Sequence, residues 1–446
     1  MEKIRALANK VVTGVDEKKN IGDAIVAVLL ALCPVFQHYN GIGFNLAITI
    51  LVLATPYLFL RMLSKWGEIK LPQFSIVAVA IIYQIYRVID HGTTLTEFGQ
   101  SAVYIVFLMA LALGCVNLKL LVCAAQLISL AASALLMLQY ICFYLFGFHL
   151  QLVITSLLLP SAEQWILGAQ TGLAGITGRL NDFYRPSAFF LEPSHVYIYM
   201  FPHLFVSLFG KGDFRRTVLP AVLITLGMVL TTSGMGIVVV VCAWGLYFLL
   251  HDEKTGTFSS KHIFRKRNLI MLGILVGLFV VAAIMVPPIR RTIARIFSTK
   301  TGVTAIGGRV SKALKSFEGM SVRQWIFGIA DTIRDVEHNM PGAIAAIYRH
   351  GLIGFVLSFE FYTRSLFKQK LPYFLVSLVV IATSLFSAHT HSTVGMLYFT
   401  FILMRGYQTA GNGASGELKV FVKDFCGELC TMIGKCLTKI KGAKTK

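Results

Sequence analysis

The segment from Leu120 to Gly147, LLVCAAQLISLAASALLMLQYICFYLFG, decides the class of fold. It contains no Asp, Glu, Lys or Arg, and it exceeds the roughly 20 apolar residues that a helix needs to cross a bilayer. Comparable apolar runs recur along the 446-residue chain, which is 56% hydrophobic and 14% charged and has a mean hydropathy of +0.71. Soluble domains carry about 25% charged residues. Because the runs lack the alternation of membrane strands, we expect an all-α polytopic membrane protein.

The apolar runs predict about twelve transmembrane helices in a single integral membrane domain that comprises residues 1–446. We place these spans at 22–37, 43–61, 73–88, 101–116, 120–147, 195–210, 217–232, 235–250, 269–287, 343–361, 371–388 and 392–405. No small-residue cleavage site follows the first run, so we expect a retained span rather than a cleaved signal peptide. Two connecting segments, at about 148–194 and 288–342, are much longer than the others, and long loops commonly carry function.

The basic residues predict the orientation of the chain. With the N-terminus inside, most of the 41 Lys and Arg residues fall on inner segments, as the positive-inside rule requires. Both termini are then cytoplasmic, and both long loops face outward. The tail at about 412–446 has apolar residues at helical spacing with lysines between them, so we expect an amphipathic helix on the inner leaflet. The net charge of +20 therefore indicates contact with membrane lipids and not with nucleic acid.

The second outer loop is unusually basic. Between residues 288 and 350 the sequence has ten Lys and Arg residues against four Asp and Glu residues, a net charge of +6. Seven of the ten are arginines, whose planar fork suits phosphate or carboxylate groups. A solvated helical face is the alternative, but the arginine content favours an anionic ligand held outside the membrane.

A polar group precedes the sixth predicted span. It contains Arg179 and Arg185, followed by Glu192-Pro-Ser-His195. An arginine, a glutamate and a histidine between residues 185 and 195 are unusual in a chain with 14% charged residues. The structural alternative for Glu192 is capping of a helix that begins at the proline, or an ion pair with Arg185.

Two further groups lie in or next to the basic loop. Arg309 follows two glycines, which let the backbone approach a ligand; a simple turn is the alternative. His338 and Asn339 precede the tenth span, where a histidine can serve as a base near neutral pH. The alternative is that Asn339 only caps the following helix.

Two other features are weaker. His389 and His391, with His195 and His203 as neighbours, lack the carboxylates or cysteines of a typical metal site, so no metal is expected. The break between the seventh and eighth spans, Thr231–Gly236, is either a tight helical hairpin or a pair of shortened helices that line a polar cavity.

The order of these motifs resembles that of the superfamily of O-antigen ligases and Wzy-type polysaccharide polymerases. The motifs in order are Arg185-x-Ser-x-Phe-Phe-x-Glu-Pro-Ser194, Thr231-Thr-Ser-x-x-Gly236, Gly307-Gly-Arg309, Trp325-x-x-Gly328, His338-Asn339 and Gly351-Leu-Ile-Gly354. The resemblance covers about 180–360 and implies a GT-C-like fold with its active site on the outer face of the bacterial cytoplasmic membrane. Glu-Pro-Ser is more similar to the polymerase variant than to the ligase variant.

The resemblance implies a glycosyltransferase that polymerises undecaprenyl-pyrophosphate-linked oligosaccharide units into O-antigen, capsule or exopolysaccharide. The resemblance leaves open whether a chain-length regulator is a partner. The outer loops contain no Asp-x-Asp pair, so we expect metal-independent transfer without a cofactor, in which arginines stabilise the leaving pyrophosphate. The rival functions are an O-antigen ligase and a flippase of lipid-linked sugars. A flippase is expected to carry charges within its spans, and these spans have few, such as Asp23 and Glu360.

The resemblance implies that Arg185 and Arg309 belong to the site of the donor pyrophosphate and that His338 is the candidate base. The chemistry of the transfer suggests the roles of the other residues. The expected catalytic residues are His338, Glu192 and Arg185: His338 takes the proton of the acceptor hydroxyl, and Glu192 with Arg185 orients a sugar, unless Glu192 is itself the base. The residues expected to bind pyrophosphate or sugar are Arg309, Arg290, Arg291, Arg179, Asn339 and His195.

Overall fold

A computed structural model gives the fold of most of the chain. It describes residues 21–41, 45–65, 95–148, 186–210, 217–252, 257–258, 266–285, 314–329, 342–364, 369–386 and 393–410, with short pieces at 78–79, 81–82, 85–86, 89, 150, 152–154, 157–158, 289–290 and 366. Within these residues, strand structure is limited to a ribbon of two residue pairs, β1 (His251–Asp252) and β2 (Thr257–Phe258), and two isolated bridges.

Helices form the rest of the regular structure in the described ranges. They are α1 (Ile21–Phe36), α2 (Leu46–Lys65), α3 (Leu95–Ala112), α4 (Leu118–Phe146), α5 (Pro193–Leu208), α6 (Val218–Leu230), α7 (Gly234–Leu250), α8 (Lys266–Met285), α9 (Val322–Phe327), α10 (Gly342–Arg364), α11 (Leu371–Phe386) and α12 (Thr393–Ala410). The prediction of an all-helical fold is confirmed. Eleven of the twelve predicted spans overlap one of these helices, and the run at 73–88 contains short helical pieces.

The lengths of the helices bear on the prediction of a membrane protein. By length and composition α2 and α4 are able to cross a bilayer, and several of the other helices are apolar but shorter. An apolar surface points the same way. The exposed apolar side chains of α8 include Leu269, Ile270, Ile274, Val276, Val280, Val281, Ile284 and Met285. Soluble monomers rarely expose a patch of this kind, so the fold is compatible with a helical membrane protein.

Several buried serine hydroxyls donate within the helices that carry them. Ser129 and Ser133 of α4 donate to the carbonyl oxygens of Ala125 and Ser129 at 2.9 and 3.0 Å. Ser377 of α11 likewise donates to the carbonyl oxygen of Tyr373 at 2.9 Å. This arrangement satisfies polar groups without water, as a core enclosed by apolar surfaces requires.

The helices pack around α4 and α5. Helices α1, α6 and α12 contact α4, and α6, α7 and α11 contact α5. The segment Thr231–Gly236 connects α6 to α7 as a tight antiparallel hairpin, because Trp244 Nε1 donates to Thr225 Oγ1 across it at 2.8 Å. Thr231 is fully buried, and its hydroxyl donates to the carbonyl oxygen of Met228. The hairpin interpretation of this break therefore fits the structure.

An ion pair joins the start of α1 to the end of α2. Arg61 Nη2 lies 3.0 Å from Asp23 Oδ2, and Tyr57 donates its hydroxyl to Asp23 Oδ1 at 2.7 Å. The Asp23 and Arg61 side chains are only 11% and 10% exposed. Nearby, Lys65 Nζ donates to the carbonyl oxygen of Gly114, which follows α3. The charge of Asp23, near the start of the first predicted span, thus belongs to a structural contact.

The ion pair yields a stability prediction. Asp23→Asn keeps the shape of the side chain but leaves the Arg61 charge without its counter-charge. Because breaking one side of a buried pair is costly, we expect a loss of roughly 3 kcal/mol in the free energy of unfolding. Thermal unfolding of the detergent-solubilised protein measures the effect. The double variant Asp23→Asn/Arg61→Met is expected to recover most of the loss, and an unchanged midpoint for the single variant would contradict the assignment.

Candidate functional site

Three segments meet at the end of the bundle where α1 ends and α5 begins. Asn40 N donates to the carbonyl oxygen of Leu157 at 2.7 Å, and Leu46 N donates to that of Tyr39 at 2.8 Å. The Tyr39 hydroxyl reaches the carbonyl oxygen of Phe189 at 3.4 Å. Burial raises the pKa of Tyr39, although a hydrogen bond with the backbone of Ile154 lowers it in part. Tyr39 is therefore a neutral donor.

A buried glutamine fixes the loop before α5. Ala188 N donates to Gln139 Oε1, and Gln139 Nε2 donates to the carbonyl oxygen of Leu150, both at 2.9 Å. Ala188 is fully buried and has a φ of 52°, a strained value for a residue with a Cβ. The two-sided contact with Gln139 holds the loop in this conformation and so determines where α5 begins.

Glu192 occupies the N-cap position of α5, but its side chain makes no capping hydrogen bond. Pro193 follows it as the first helical residue. The carboxylate instead accepts a hydrogen bond from the Ser194 hydroxyl. Glu192 Oε1 also lies 3.4 Å from His195 Nε2, a distance at which a protonated imidazole forms an ion pair. These two contacts hold the carboxylate in place. The Glu192 side chain is still 24% exposed, so the carboxylate remains accessible.

His38 packs against one face of the His195 ring. Their ring centroids are 4.7 Å apart and the planes differ by 11°, which is a stacked arrangement. The side chain of His195 is 4% exposed. We call Glu192, Ser194, His195 and His38 the polar cluster. It joins the last turn region of α1 to the first turn of α5.

A cleft lies directly beside the polar cluster. Its lining residues come from α1, α5, α12 and the loops next to them: Pro34, Gln37, Phe190, His195, Ile198, Tyr199, Gly395 and Tyr398. The lining is aromatic and apolar, with an amide, an imidazole and phenol groups as its polar members. The space between these side chains is narrow, with room for about one water molecule.

The floor of the cleft is a chain of hydrogen bonds between helices. The Tyr199 hydroxyl donates to the carbonyl oxygen of Ala31 at 2.8 Å, and the Tyr398 hydroxyl donates to that of Tyr199 at 2.8 Å. His203 Nε2 lies 2.8 Å from the Tyr398 oxygen. Since Tyr398 has already used its proton, His203 must donate from Nε2, which assigns its tautomer. Helices α1, α5 and α12 are thus joined below the polar cluster.

Two glycine motifs of the sequence come together elsewhere in the fold. Gly328 ends α9, and Gly351 interrupts α10 with a φ of 64° and a ψ of −174°. A Cβ at Gly351 would overlap the carbonyl group of Ile326, and one at Gly328 would overlap that of Arg349. The two backbones therefore touch, and Ile329 N donates to the carbonyl oxygen of Tyr348 at 2.9 Å beside this contact.

Aromatic side chains support the glycine contact. Tyr86 donates its hydroxyl to the carbonyl oxygens of both Phe327 and His350, at 3.1 and 3.0 Å. Phe317 stacks on Trp325 with centroids 4.8 Å apart and meets Tyr348 edge-on at 5.8 Å. The chain leaves this unit at Ile329 and returns to it at Gly342, so both ends of the intervening segment are anchored.

The structure reaches only some of the sequence-predicted site residues. It places Glu192 and His195 together, as described. Arg290 is an exposed helical residue beyond α8. The remaining predicted residues lie outside the described part of the chain: Arg179, Arg185, Arg291, Arg309, His338 and Asn339. The histidines His389 and His391 and the predicted tail helix at about 412–446 lie outside it as well.

Sequence reasoning missed several residues of the polar cluster and the cleft. Gln37 and His38 follow the first apolar run directly, and a polar pair at the end of a span was the available signal. Gln139 lies within an apolar span, where an amide needs partners and is therefore informative. No pattern in the sequence connects Tyr398 to Tyr199, because their contact spans 199 residues.

A comparison of the chain with protein-family models and with curated proteins finds no match.

The Gln139 contacts predict a local effect. Gln139→Leu is expected to leave Ala188 N buried without an acceptor, which costs about 1–3 kcal/mol. Backbone amides of the loop before α5 are then expected to exchange with deuterium about tenfold faster. Hydrogen exchange read by mass spectrometry measures this. The matched control is Gln126→Leu on the same helix, whose amide contacts Ser207 and not the loop. Equal exchange in both variants would show that the hydrogen bonds of Gln139 do not hold the loop.

The glycine contact predicts a folding defect. The backbone angles of Gly351 are nearly restricted to glycine, and an added methyl group meets the Ile326 carbonyl. Gly351→Ala is therefore expected to reduce the yield of monodisperse protein in detergent severalfold. Gly277→Ala is the control, since a Cβ there meets nothing within 4 Å and alanine favours the helix by up to about 1 kcal/mol. A normal yield for Gly351→Ala would show that the contact is dispensable.

Proposed function

We propose that this chain is a multi-pass glycosyltransferase of the bacterial cytoplasmic membrane that polymerises undecaprenyl-pyrophosphate-linked oligosaccharide units into a surface polysaccharide. The observation that carries the proposal is the polar cluster. It places an accessible carboxylate, a hydroxyl and two imidazoles at one end of an apolar helical bundle, beside a cleft. Glu192 and Ser194 of this cluster also belong to the Glu-Pro-Ser sequence that is more similar to the polymerase variant than to the ligase variant.

The position of the cluster suits an amphipathic substrate. A lipid-linked oligosaccharide has an apolar tail and a polar head that lies at the membrane surface. The exposed apolar side chains of helices such as α8 provide surface for lipid, whereas the polar cluster lies at a bundle end, where the predicted topology puts the outer face. Helices α1 and α5 have opposite directions with respect to that face, which is why the end of one meets the start of the other.

The proposed reaction is a displacement at the anomeric carbon of the donor sugar. The acceptor hydroxyl forms the new glycosidic bond, and the bond from the anomeric carbon to the pyrophosphate oxygen breaks. The leaving pyrophosphate takes the electron pair, and the arginines Arg309, Arg290 and Arg291 stabilise its charge. His338 takes the proton of the acceptor hydroxyl. Glu192 accepts a hydrogen bond from a sugar hydroxyl and orients that sugar, with Arg179, Arg185, Asn339 and His195 as further binding residues.

The position of one charge favours catalysis over transport. A flippase needs charged or polar groups along a path through its spans. Asp23, one of the few acidic residues in the predicted spans, is engaged by Arg61 and Tyr57 in a contact that joins two helices. It therefore serves the packing of α1 on α2. Glu192, at the other end of the bundle, keeps its carboxylate accessible.

The test of the function uses purified protein in liposomes with lipid-linked repeat units as the only sugar substrate. Polymerisation predicts a ladder of products that grows by whole repeats. Transfer of a finished glycan to added lipid A-core without growth would identify a ligase instead. Movement of the units across the bilayer with no new glycosidic bond would identify a transporter. Either of these results would overturn the proposal.

The role of Glu192 yields a prediction in the same assay. Glu192→Gln keeps the size of the side chain but removes the charge that accepts hydrogen bonds most strongly. We expect the rate of chain growth to fall about 10²-fold or more. Glu318→Gln is the matched control, because Glu318 is an exposed carboxylate in the turn before α9. Equal rates for the two variants would exclude Glu192 from the site.

A further inference from the structure

The stack of His38 on His195 has a geometric consequence. A ring that is stacked on one face has its plane fixed, which leaves two orientations that differ by a 180° turn about χ2. For His195 one of these orientations brings Nε2 to 3.4 Å from Glu192 Oε1. Nothing in the covalent structure of α5 enforces this orientation, because the imidazole rotates about its χ2 bond.

The position of His38 is itself fixed. It lies two residues after the end of α1, and the next residue, Tyr39, is held by two backbone contacts. Tyr39 N donates to the carbonyl oxygen of Phe36 at 3.1 Å, and Leu46 N donates to that of Tyr39 at 2.8 Å. The Tyr39 ring also meets the Phe36 ring edge-on with centroids 5.8 Å apart. His38 is therefore presented from a rigid turn and not from a loop tip.

From these contacts we infer that His38 is a positioning residue of the site, whose ring fixes the plane of His195 so that Nε2 faces the Glu192 carboxylate. The inference rests on the proposed function and adds a residue to it. His38 acts through its flat ring, and its nitrogen atoms take no part in the chemistry. An aromatic ring without nitrogen can therefore replace it, whereas a methyl group cannot.

Two substitutions separate this role from a chemical one. His38→Phe keeps a flat ring in the stack, and His38→Ala removes it. In the liposome assay with lipid-linked repeat units we expect His38→Ala to lose about tenfold to 10²-fold in rate, because a shift of about 1 Å in a group of the site can cost that much. We expect the rate of His38→Phe to stay within about threefold of the unchanged protein. Equal loss in both variants, or no loss in His38→Ala, would overturn the inference.

The control removes a similar stack at the opposite end of the bundle. His251 follows α7 and stacks on Tyr247 with centroids 5.0 Å apart and planes 13° apart. Phe209, at the C-terminal end of α5, meets Tyr247 edge-on at 6.2 Å, which places this stack far along α5 from the polar cluster. His251→Ala is expected to keep the full rate. A loss as large as that of His38→Ala would show a general effect on folding and would overturn the inference.

A second readout does not depend on the proposed activity. Carbethoxylation of His195 by diethylpyrocarbonate, followed peptide by peptide with mass spectrometry, reports how accessible the nitrogen atoms of the ring are. We expect His195 to react about tenfold faster in His38→Ala, and at the original rate in His38→Phe, because only the first variant opens a space beside the ring through which the reagent reaches a nitrogen atom. An unchanged labelling rate in His38→Ala would show that His38 does not cover His195 and would overturn the inference. If the unchanged protein makes no polymer, the proposed function fails, and this labelling alone decides the inference.

Discussion

Two tyrosine hydroxyls hold the centre of this fold, and both bind a carbonyl oxygen three residues before a proline. Tyr199 donates to Ala31, which precedes Pro34 in α1, and Tyr398 donates to Tyr199, which precedes Pro202 in α5. A proline removes one backbone hydrogen bond and disturbs the turn before it. The two hydroxyl groups bind at these turns. The turns that proline disturbs in α1 and α5 are therefore the places where α1, α5 and α12 are joined.

The same residues hold the helices and line the cleft, so fold and site are not separable here. Tyr199 and Tyr398 are fully enclosed in the packing between α1, α5 and α12, yet each contributes to the wall next to His195. The aromatic rings of these two residues stack with centroids 4.8 Å apart. A substitution that weakens the hydrogen bonds of Tyr199 and Tyr398 therefore alters the shape of the cleft. A larger side chain in the cleft disturbs these hydrogen bonds in turn.

Hydropathy was sufficient to predict the described helices except α9, which lies within the second long loop, because each apolar run has to satisfy its own backbone in any apolar environment. It also located Glu192 and His195 as a polar pair at a helix start. It could not predict the brace by Gln139, the stack by His38 or the contact of Gly328 with Gly351, since these depend on which helix ends become neighbours. Spacing along the sequence holds no information on such neighbours. The capping alternative for Glu192 shows the same limit: the position was right for a cap, and the carboxylate turned to Ser194 instead.

The backbone contact at Gly328 and Gly351 bears on how this protein can change over time. The chain leaves that unit at Ile329 and returns at Gly342, and the hydrogen bond from Ile329 N to the Tyr348 carbonyl oxygen closes the loop at its base. The entropic cost of closing a loop depends only weakly on its length. The segment between the anchors can therefore be exchanged or lengthened without dismantling the helices. The number of residues between the two anchors can therefore change while the helices that hold them stay constant.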